Sequence, residues 1–271
     1  MAVKIVNWNP RSRVFARRLR YGPRVDNFGD LLGPLIADKL LQNEGLSDRS
    51  QRDYRLLTVG SILHLAEDGD SVWGSGVNGK LPSDLHKWRT LDVRSVRGPL
   101  TAQFLRSRGV SVPNVFGDPG LLVGHLWDRA ALARSSESSS YVVVPNFHDY
   151  QATYEAHPGR TVNPGAPMWD VIGRIAASDL VVGSSLHGIV VAESLGIPAR
   201  LVEAGSESPF KYQDYFEGTG RRDVAASPDV HTALQWGGAT APEWDPRALI
   251  ESFPRDLYLP SPSATSRNTQ L

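Results

Sequence analysis

The stretch ASDLVVGSSLHGIVVAESLGIPARLV, residues 177–202, decides the fold class of this chain. Its segment DLVVGS (179–184) has the short β-branched run of a buried strand, and GIVVAESLG (188–196) places apolar residues at helical spacing. A second strand-like segment, PARLVE (198–203), follows at once. A strand, a helix and a strand in this order predict a parallel βαβ unit, and hence an α/β fold.

The same alternation runs along the rest of the chain. Further strands are predicted at 3–8, 54–61, 70–76, 92–98 and 140–146, and helices at 31–44, 99–109 and 168–178. The Ser-rich stretch 128–140 interrupts the alternation and is predicted to be a linker. We therefore expect two Rossmann-like domains with a cleft between them: an N-terminal domain over 1–127, a C-terminal domain over 141–235, a closing segment over 236–258 and a disordered tail over 259–271.

The composition excludes several classes of function. The 271 residues include 29 basic and 29 acidic side chains, which gives no general case for nucleic-acid binding. The absence of cysteine excludes disulfides, cysteine-ligated zinc and thiol catalysis, and the histidines show no metal-binding spacing, so no metal site is expected. We find no signal-peptide pattern and no apolar run long enough to span a membrane, and we expect a cytoplasmic protein.

His187 stands where a predicted strand passes into a helix, in the sequence GSSLHG (183–188). The backbone N–H groups at a helix start favour an anion. A histidine in this turn can donate a hydrogen bond to a phosphate or carboxylate, or transfer a proton near neutral pH. The alternative is a packed histidine that closes the turn together with Ser184.

Other polar residues follow predicted strands in the N-terminal half. Arg97, just before Gly-Pro at a helix start, is placed to bind an oxyanion, although it could also be a surface arginine. Asn27 and Asp30 in DNFGD can hold sugar hydroxyls, or Asp30 can simply cap the following helix. Gly76 in WGSGVNG allows a ligand to approach the backbone closely.

Three further features carry weaker predictions. Lys211 lies among aromatic residues in SPFKYQDYFEG (208–218), which suits a loop facing a sugar or a phosphate, or else a peripheral packing segment. Asp118 in FGDPG is interpreted as a turn and helix-start residue. The segment from Arg11 to Arg24 contains six arginines and no acid, and is either a solvated basic loop or a contact to a pyrophosphate or an anionic lipid surface.

The order of the motifs resembles the polysaccharide pyruvyl transferase family. The resemblance rests on five stretches: NFGD (27–30), VWGSGV (72–77), SVRGPLTAQFL (95–105), FGDPGLL (116–122) and SSLHGIVVAESLGIPARLV (184–202). It implies a fold similar to that of GT-B glycosyltransferases, with phosphoenolpyruvate as donor substrate and no cofactor. The implied product is a pyruvate ketal bridging two hydroxyls of a sugar or of a lipid-linked oligosaccharide, with release of phosphate.

The resemblance also implies roles for the candidate residues. His187 would protonate the donor and Arg97 would hold its phosphate or carboxylate. Family members usually carry an arginine where this chain has Ser185, so we expect Lys211 or the basic loop to supply the missing charge. The expected donor-binding residues are Arg97, Ser184, Ser185, His187, Gly188 and Lys211, and the expected acceptor-binding residues are Asn27, Asp30 and Gly76.

Two other functions fit the same sequence. One is a GT-B glycosyltransferase that uses a nucleotide sugar, because a fold does not determine its donor. The other is a non-catalytic scaffold in a polysaccharide assembly complex. A cytoplasmic enzyme with a lipid-linked acceptor would work at the inner face of the membrane, where the Arg11–Arg24 loop could make a peripheral contact.

Overall fold

The computed structural model of the chain describes residues 2–11 and 24–260. The central part of the predicted basic loop, residues 12–23, and residues 261–271 of the predicted tail lie outside the described residues. Within the described residues, none of the helices combines the length and the apolar character needed to cross a bilayer.

The strands of the described residues form two sheets in which every neighbouring pair is parallel, as the βαβ pattern predicts. The first sheet has the order β1-β2-β3-β4 and the second the order β5-β6-β7. The strands are short and rich in valine, and each lies at or within a stretch predicted from the sequence. Their bounds are β1 (Val3–Val6), β2 (Tyr54–Leu57), β3 (Ser71–Trp73), β4 (Asp92–Ser95), β5 (Val142–Val143), β6 (Val181–Gly183) and β7 (Ala199–Leu201).

Helices connect these strands, so the α/β prediction is confirmed. Pro99 begins the second helix after Gly98, as expected for a proline in a first turn. The helices are α1 (Phe28–Asn43), α2 (Pro99–Ser107), α3 (Val123–Leu126), α4 (Arg129–Ala133), α5 (Tyr150–Ala156), α6 (Met168–Ala176), α7 (Leu186–Ser194), α8 (Phe210–Gly218), α9 (Val230–Trp236) and α10 (Pro246–Glu251).

The stretch predicted to be a linker contains a capped helix. Asp128 accepts a hydrogen bond from the Ala131 amide at 2.8 Å, which starts α4. The guanidinium of Arg129 donates to the carbonyls of Ala176 and Ser178 at 2.9 Å each, at the end of α6. The chain between the two sheets is therefore attached to the C-terminal half over this part.

The segment that follows the second sheet returns to the first. The indole N–H of Trp73 on β3 donates to the carbonyl of Leu249 on α10 at 2.9 Å. The Trp73 ring also packs edge-on against Phe253 at a centroid distance of 5.0 Å. Arg94 on β4 forms an ion pair with Asp256 at 2.8 Å. These contacts join the C-terminal end of the described chain to the N-terminal sheet.

The prediction of a loop around Lys211 was wrong, because residues 210–218 form helix α8. The helix buries Tyr212, Asp214, Tyr215 and Phe216. Its buried side includes a carboxylate, which interrupts the apolar periodicity by which a helix is recognised from sequence. The helix places Lys211 on a rigid element, close to its N-terminal end.

Candidate functional site

A cavity of about 320 Å³ lies where strands of both sheets end. Ligands in open parallel α/β sheets bind at the carboxyl ends of the strands, and residues that follow β1, β2, β5 and β6 meet here. The lining residues are Trp8, Asn27, Asp30, Ser61, Ile62, His64, Asn78, Lys80, Leu81, Asn146, Phe147, His148, Ser185, Leu186, His187, Glu207 and Lys211.

A larger cavity, of about 820 Å³, lies elsewhere on the C-terminal half. It is lined by the Ser-rich stretch 135–139 together with Trp169 and Arg174. Ser139 pairs with Ser178 ahead of β5 and β6, so this cavity is at the amino ends of the strands. We therefore place the functional site in the smaller cavity, where the polar residues of both halves converge.

His187 reaches the cavity from the first turn of α7. Ser185 occupies the N-cap position of this helix, and its hydroxyl accepts a hydrogen bond from the Gly188 amide at 3.2 Å. The His187 side chain is 12% exposed, and its ring packs closely on the backbone of Gly29. A Cβ added at Gly29 would lie 2.1 Å from the ring nitrogen Nδ1. The strand, the cap and this glycine together fix the ring.

Asp118 lies behind His187, at an Oδ2–Nε2 distance of 3.7 Å. Its other oxygen, Oδ1, accepts a hydrogen bond from the Gly120 amide at 2.8 Å and caps the short 3-10 helix Pro119–Leu122. Among the described residues, neither Oδ2 of Asp118 nor Nε2 of His187 has a hydrogen-bond partner, and both atoms are buried. Asp118 is therefore the turn residue that the sequence predicts and also the carboxylate that faces the histidine.

Asn27 and Asp30 stand at the start of α1 on another wall of the cavity. The Asn27 amide donates to Asp30 Oδ2 at 2.6 Å. Burial raises the pKa of the Asp30 carboxyl above its ordinary value. The positive charges of His187 and Lys211 and the Asn27 hydrogen bond offset only part of that effect. Asp30 is thus a carboxyl that holds its proton more firmly than an exposed aspartate.

Lys80 and Lys211 bring positive charge to the cavity, and Glu207 lies between them. Lys80 Nζ is 2.7 Å from Glu207 Oε1, and Lys211 Nζ is 2.9 Å from Oε2. Burial lowers the pKa of Lys211, although Glu207 partly offsets this. Burial alone would raise the pKa of Glu207, but Lys211 and Lys80 outweigh it and the net shift is downward. Lys80 and Glu207 were not predicted from the sequence.

Arg97 is buried beside the cavity instead of lining it. Its Nε donates to Asp214 Oδ2 at 3.0 Å, one terminal nitrogen donates to the Ser61 hydroxyl at 2.6 Å, and the other donates to the Val77 carbonyl at 2.9 Å. The side chain is 1% exposed. This geometry replaces the expected direct contact with an oxyanion, because each nitrogen already has a partner within the protein. Its hydrogen bond to Ser61, a lining residue, connects Arg97 to the cavity.

Gly76 provides room for Arg97 and not for a ligand. A Cβ added there would lie 2.4 Å from the guanidinium carbon. The sequence correctly indicates a close approach to the Gly76 backbone, but the group that approaches is a side chain of the same protein.

Ser184 and Gly188 also fall outside the set of described residues that line the cavity. The Ser184 hydroxyl donates to Asp149 Oδ2 at 2.7 Å and accepts from the Asn146 amide at 3.1 Å. Gly188 packs against Val144, whose Cγ1 would lie 2.7 Å from an added Cβ. Both residues shape the turn that carries Ser185 and His187.

Two aromatic residues of the cavity wall were missed by the sequence argument. Trp8 follows β1, and Phe147 follows β5 with 44% of its surface exposed. Aromatic rings at a polar cavity are suited to packing against the apolar face of a sugar ring. Both residues closely follow strands, and this position was the available signal in the sequence.

A family profile matches the central part of the chain. The family profile described as polysaccharide pyruvyl transferase matches residues 53–205. The matched range includes Lys80, Asp118 and His187. Asn27, Asp30, Glu207 and Lys211 lie outside it.

Two relatives are similar over most of this chain. The succinoglycan biosynthesis protein ExoV of Rhizobium meliloti (strain 1021) is 31% identical over 207 residues, which are 72% of this chain and 62% of that protein. The uncharacterized protein L143 of Acanthamoeba polyphaga mimivirus is 24% identical over 212 residues, which are 73% of this chain and 72% of that protein.

One solved structure is similar over 83% of this chain and 91% of its own, at 11% identity and a TM-score of 0.47. It is the crystal structure of a functional uncharacterized protein from Klebsiella pneumoniae subsp. pneumoniae NTUH-K2044. The profile matches more than half of the described chain, including the turns that carry Asp118 and His187. The chain therefore belongs to the polysaccharide pyruvyl transferase family.

Proposed function

We propose that this protein transfers the enolpyruvyl group of phosphoenolpyruvate to a sugar of a cell-surface polysaccharide or its precursor, forming a pyruvate ketal. The observation that supports this best is the combination in one cavity of His187, backed by a buried carboxylate, with the two lysines Lys80 and Lys211. Family membership and the printed role of ExoV in succinoglycan biosynthesis point to the same reaction class.

The reaction balances without a redox step or a metal. A proton adds to the methylene carbon of phosphoenolpyruvate, which becomes a methyl group, and the neighbouring carbon becomes electrophilic. One sugar hydroxyl attacks that carbon and loses its proton. Phosphate then leaves with the electrons of its C–O bond, and a second hydroxyl closes the ring and loses its proton. Of the two protons released by the hydroxyls, one replaces the proton consumed and the other accompanies the phosphate.

His187 is the proposed acid for the first step. Protonation of a carbon needs an acid that titrates near neutral pH, which is the range of histidine. The Asp118 carboxylate lies 3.7 Å from Nε2 on the buried side of the ring and helps to fix the orientation of the ring. Asp118 thus acts as a positioning residue, while Nδ1 packs on Gly29 and the residue lines the cavity.

The donor is a dense anion, and the cavity offers three kinds of group for it. Lys80 and Lys211 supply positive charge, Ser61 and Ser185 supply hydroxyls, and the first turn of α7 supplies backbone N–H groups. Lys211 is our choice for the charge that the family arginine would provide at Ser185. Arg97 supports the proposed donor-binding groups indirectly, through its hydrogen bond to Ser61, and contributes to the local positive potential.

Asn27 and Asp30 are proposed to hold the acceptor sugar on the opposite wall. The raised pKa of Asp30 makes its carboxylate a stronger base than an ordinary aspartate, so it is suited to accept the proton of the attacking hydroxyl. Trp8 and Phe147 would pack against the sugar ring.

The proposal extends to the arrangement of the chain. The two parallel sheets would be the cores of two Rossmann-like domains, residues 1–127 and 141–235, in a GT-B-like arrangement with the site between them. The separate sheets and the cavity lined from both halves support this. A cytoplasmic enzyme with a lipid-linked acceptor would meet the inner face of the membrane, where the six arginines of residues 11–24 suit anionic headgroups.

The test is a transfer assay with phosphoenolpyruvate and oligosaccharide fragments of bacterial exopolysaccharides as acceptors. Mass spectrometry of the sugar and release of phosphate report the reaction. We expect His187→Ala to lower the transfer rate by roughly 100-fold to 10,000-fold, the usual contribution of a general acid. His125→Ala is the matched control, because His125 is exposed and outside the cavity.

Full transfer activity in folded His187→Ala would exclude the assigned acid. Transfer of a sugar from a nucleotide-sugar donor, with no reaction of phosphoenolpyruvate, would assign the protein to the glycosyltransferases instead.

A further inference from the structure

The contact between Lys80, Lys211 and Glu207 joins distant parts of the chain inside the cavity. Glu207 is 127 residues from Lys80 in sequence, yet its carboxylate bonds to the ammonium group at 2.7 Å. The Glu207 side chain is 8% exposed, and those of Lys80 and Lys211 are 32% and 13% exposed. Three charged groups are thus held together in a largely desolvated space, where their interactions are stronger than at a surface.

The local backbone fixes the position of Lys80. Gly79, just before it, has φ +76°, and a Cβ at that position would lie 2.5 Å from Phe210 Cβ and 2.8 Å from the Ser208 hydroxyl. The turn therefore packs against the segment that begins α8, which carries Lys211. Lys80 and Lys211 are held on the same side of the cavity by this contact, and both point to one carboxylate.

Glu207 is the carboxylate that neutralises both lysines inside the cavity. Without it, two ammonium groups would face the same small space, and their repulsion would be uncompensated. Its two oxygens each bind one lysine, as two oxygens of a phosphate or carboxylate would do.

Glu207 also lines a second cavity, of about 440 Å³, whose other charged lining residues are Glu203 and Arg222. Glu207 thus borders two cavities, with the lysines in the first and both a negative and a positive side chain in the second.

We propose that Lys80 and Lys211 form one binding site for the phosphate or carboxylate of a small anion, and that Glu207 fills this site until the anion displaces it. That the anion is the donor phosphoenolpyruvate rests on the proposed function. The lysine site itself does not, since it follows from the geometry of the three side chains. Glu207 would then exclude weakly charged molecules from the site, because only an anion can replace its two ion pairs.

The experiment is isothermal titration of the full chain with inorganic phosphate, which probes the anion site alone. We expect Glu207→Gln to bind phosphate roughly tenfold more tightly than the wild type, since a competing charge within ion-pair distance is removed. Lys80→Gln and Lys211→Gln should each weaken binding by roughly tenfold. Lys87→Gln is the matched control, because Lys87 is exposed and outside the cavity.

The proposal is overturned if Glu207→Gln binds phosphate no more tightly than the wild type, because Glu207 would then support the lysines instead of competing with the ligand. It is also overturned if binding does not depend on Lys80 and Lys211. Phosphate binding that follows the expected order while phosphoenolpyruvate is never transferred would retain the anion site and refute the proposed function. Transfer from phosphoenolpyruvate at the wild-type rate in both lysine variants would retain the function and refute the site.

Discussion

The side chain of His187 shows what one sequence can and cannot reveal at the scale of a residue. Its place between a buried strand and a helix was readable from GSSLHG, and so was its neighbourhood of helix N–H groups. Its contact with Asp118 was not, because the two residues are far apart in sequence and FGDPG is fully explained as a turn. Lys80 and Glu207 were missed for the same reason, since neither has a neighbour in sequence that marks it.

Arg97 is a residue that the sequence assigned to the ligand but that the structure shows bonded within the protein. An arginine before Gly-Pro at a helix start looks available for a ligand, and the sequence gives no sign of Asp214, which binds it from another helix. Burial decides the role of such a residue, and burial depends on which elements pack together.

Asp30 supports a prediction about stability and activity together. Burial raises its pKa, so its contribution to stability is fully present below the ordinary aspartate pKa and is lost as the pH rises through the raised value. At neutral pH the folded protein therefore bears the free-energy cost of burying this carboxyl group. We expect Asp30→Asn, which keeps an oxygen for Asn27, to be more resistant to urea at neutral pH, and the difference to shrink as the pH falls.

The same variant should lose roughly 100-fold or more of its transfer rate if the carboxylate is the base. Urea titrations at neutral and acidic pH, beside the transfer assay, measure both effects. A variant less stable than the wild type at neutral pH would show that Asp30 is a structural cap and not a costly functional carboxyl.

At the scale of the elements, periodicity predicted those with a clear apolar pattern. It missed α8 and the short helices α3, α4, α5 and α9. The strands β1 to β7 and the helices α1, α2, α6 and α7 all lie in or overlap the predicted ranges. In α8 the buried residues include Asp214, which no hydrophobic pattern can indicate. That carboxylate is buried because it accepts hydrogen bonds from the neighbouring helix α2.

The contact between α2 and α8 is built around this carboxylate. Asp214 accepts hydrogen bonds from the amide and the hydroxyl of Thr101 at 2.9 and 2.7 Å, in the first turn of α2, and from Arg97 at 3.0 Å. Gly98 allows the close approach, because a Cβ there would lie 1.8 Å from the Asp214 carbonyl oxygen.

We predict that Asp214→Asn lowers the free energy of unfolding by about 3–5 kcal/mol, because it leaves the buried Arg97 charge without its partner. The exposed Asp223→Asn is the control and should change stability by less than about 0.5 kcal/mol. Urea unfolding with an unchanged slope measures the difference. A loss below about 1 kcal/mol, within the range of ordinary substitutions, would mean that the ion pair does not secure this contact.

At the scale of the whole molecule, the sequence predicted where the polar cavity lies better than which residues line it. Polar turns after strands of both halves indicated one cavity, and residues following β1, β2, β5 and β6 do line it together. Family membership is shown by the profile match over residues 53–205. The charge balance inside the cavity could not be predicted, because it depends on loops and on α8, whose positions are set by packing between distant parts of the chain.

The measurement that tests the central claim most directly is calorimetric titration of the purified chain with phosphoenolpyruvate, beside a panel of nucleotide sugars. We predict saturable binding of phosphoenolpyruvate at one site per chain, lost when Lys80→Gln and Lys211→Gln are combined, and no binding of the nucleotide sugars. Binding of a nucleotide sugar in this cavity, with none of phosphoenolpyruvate, would contradict the account.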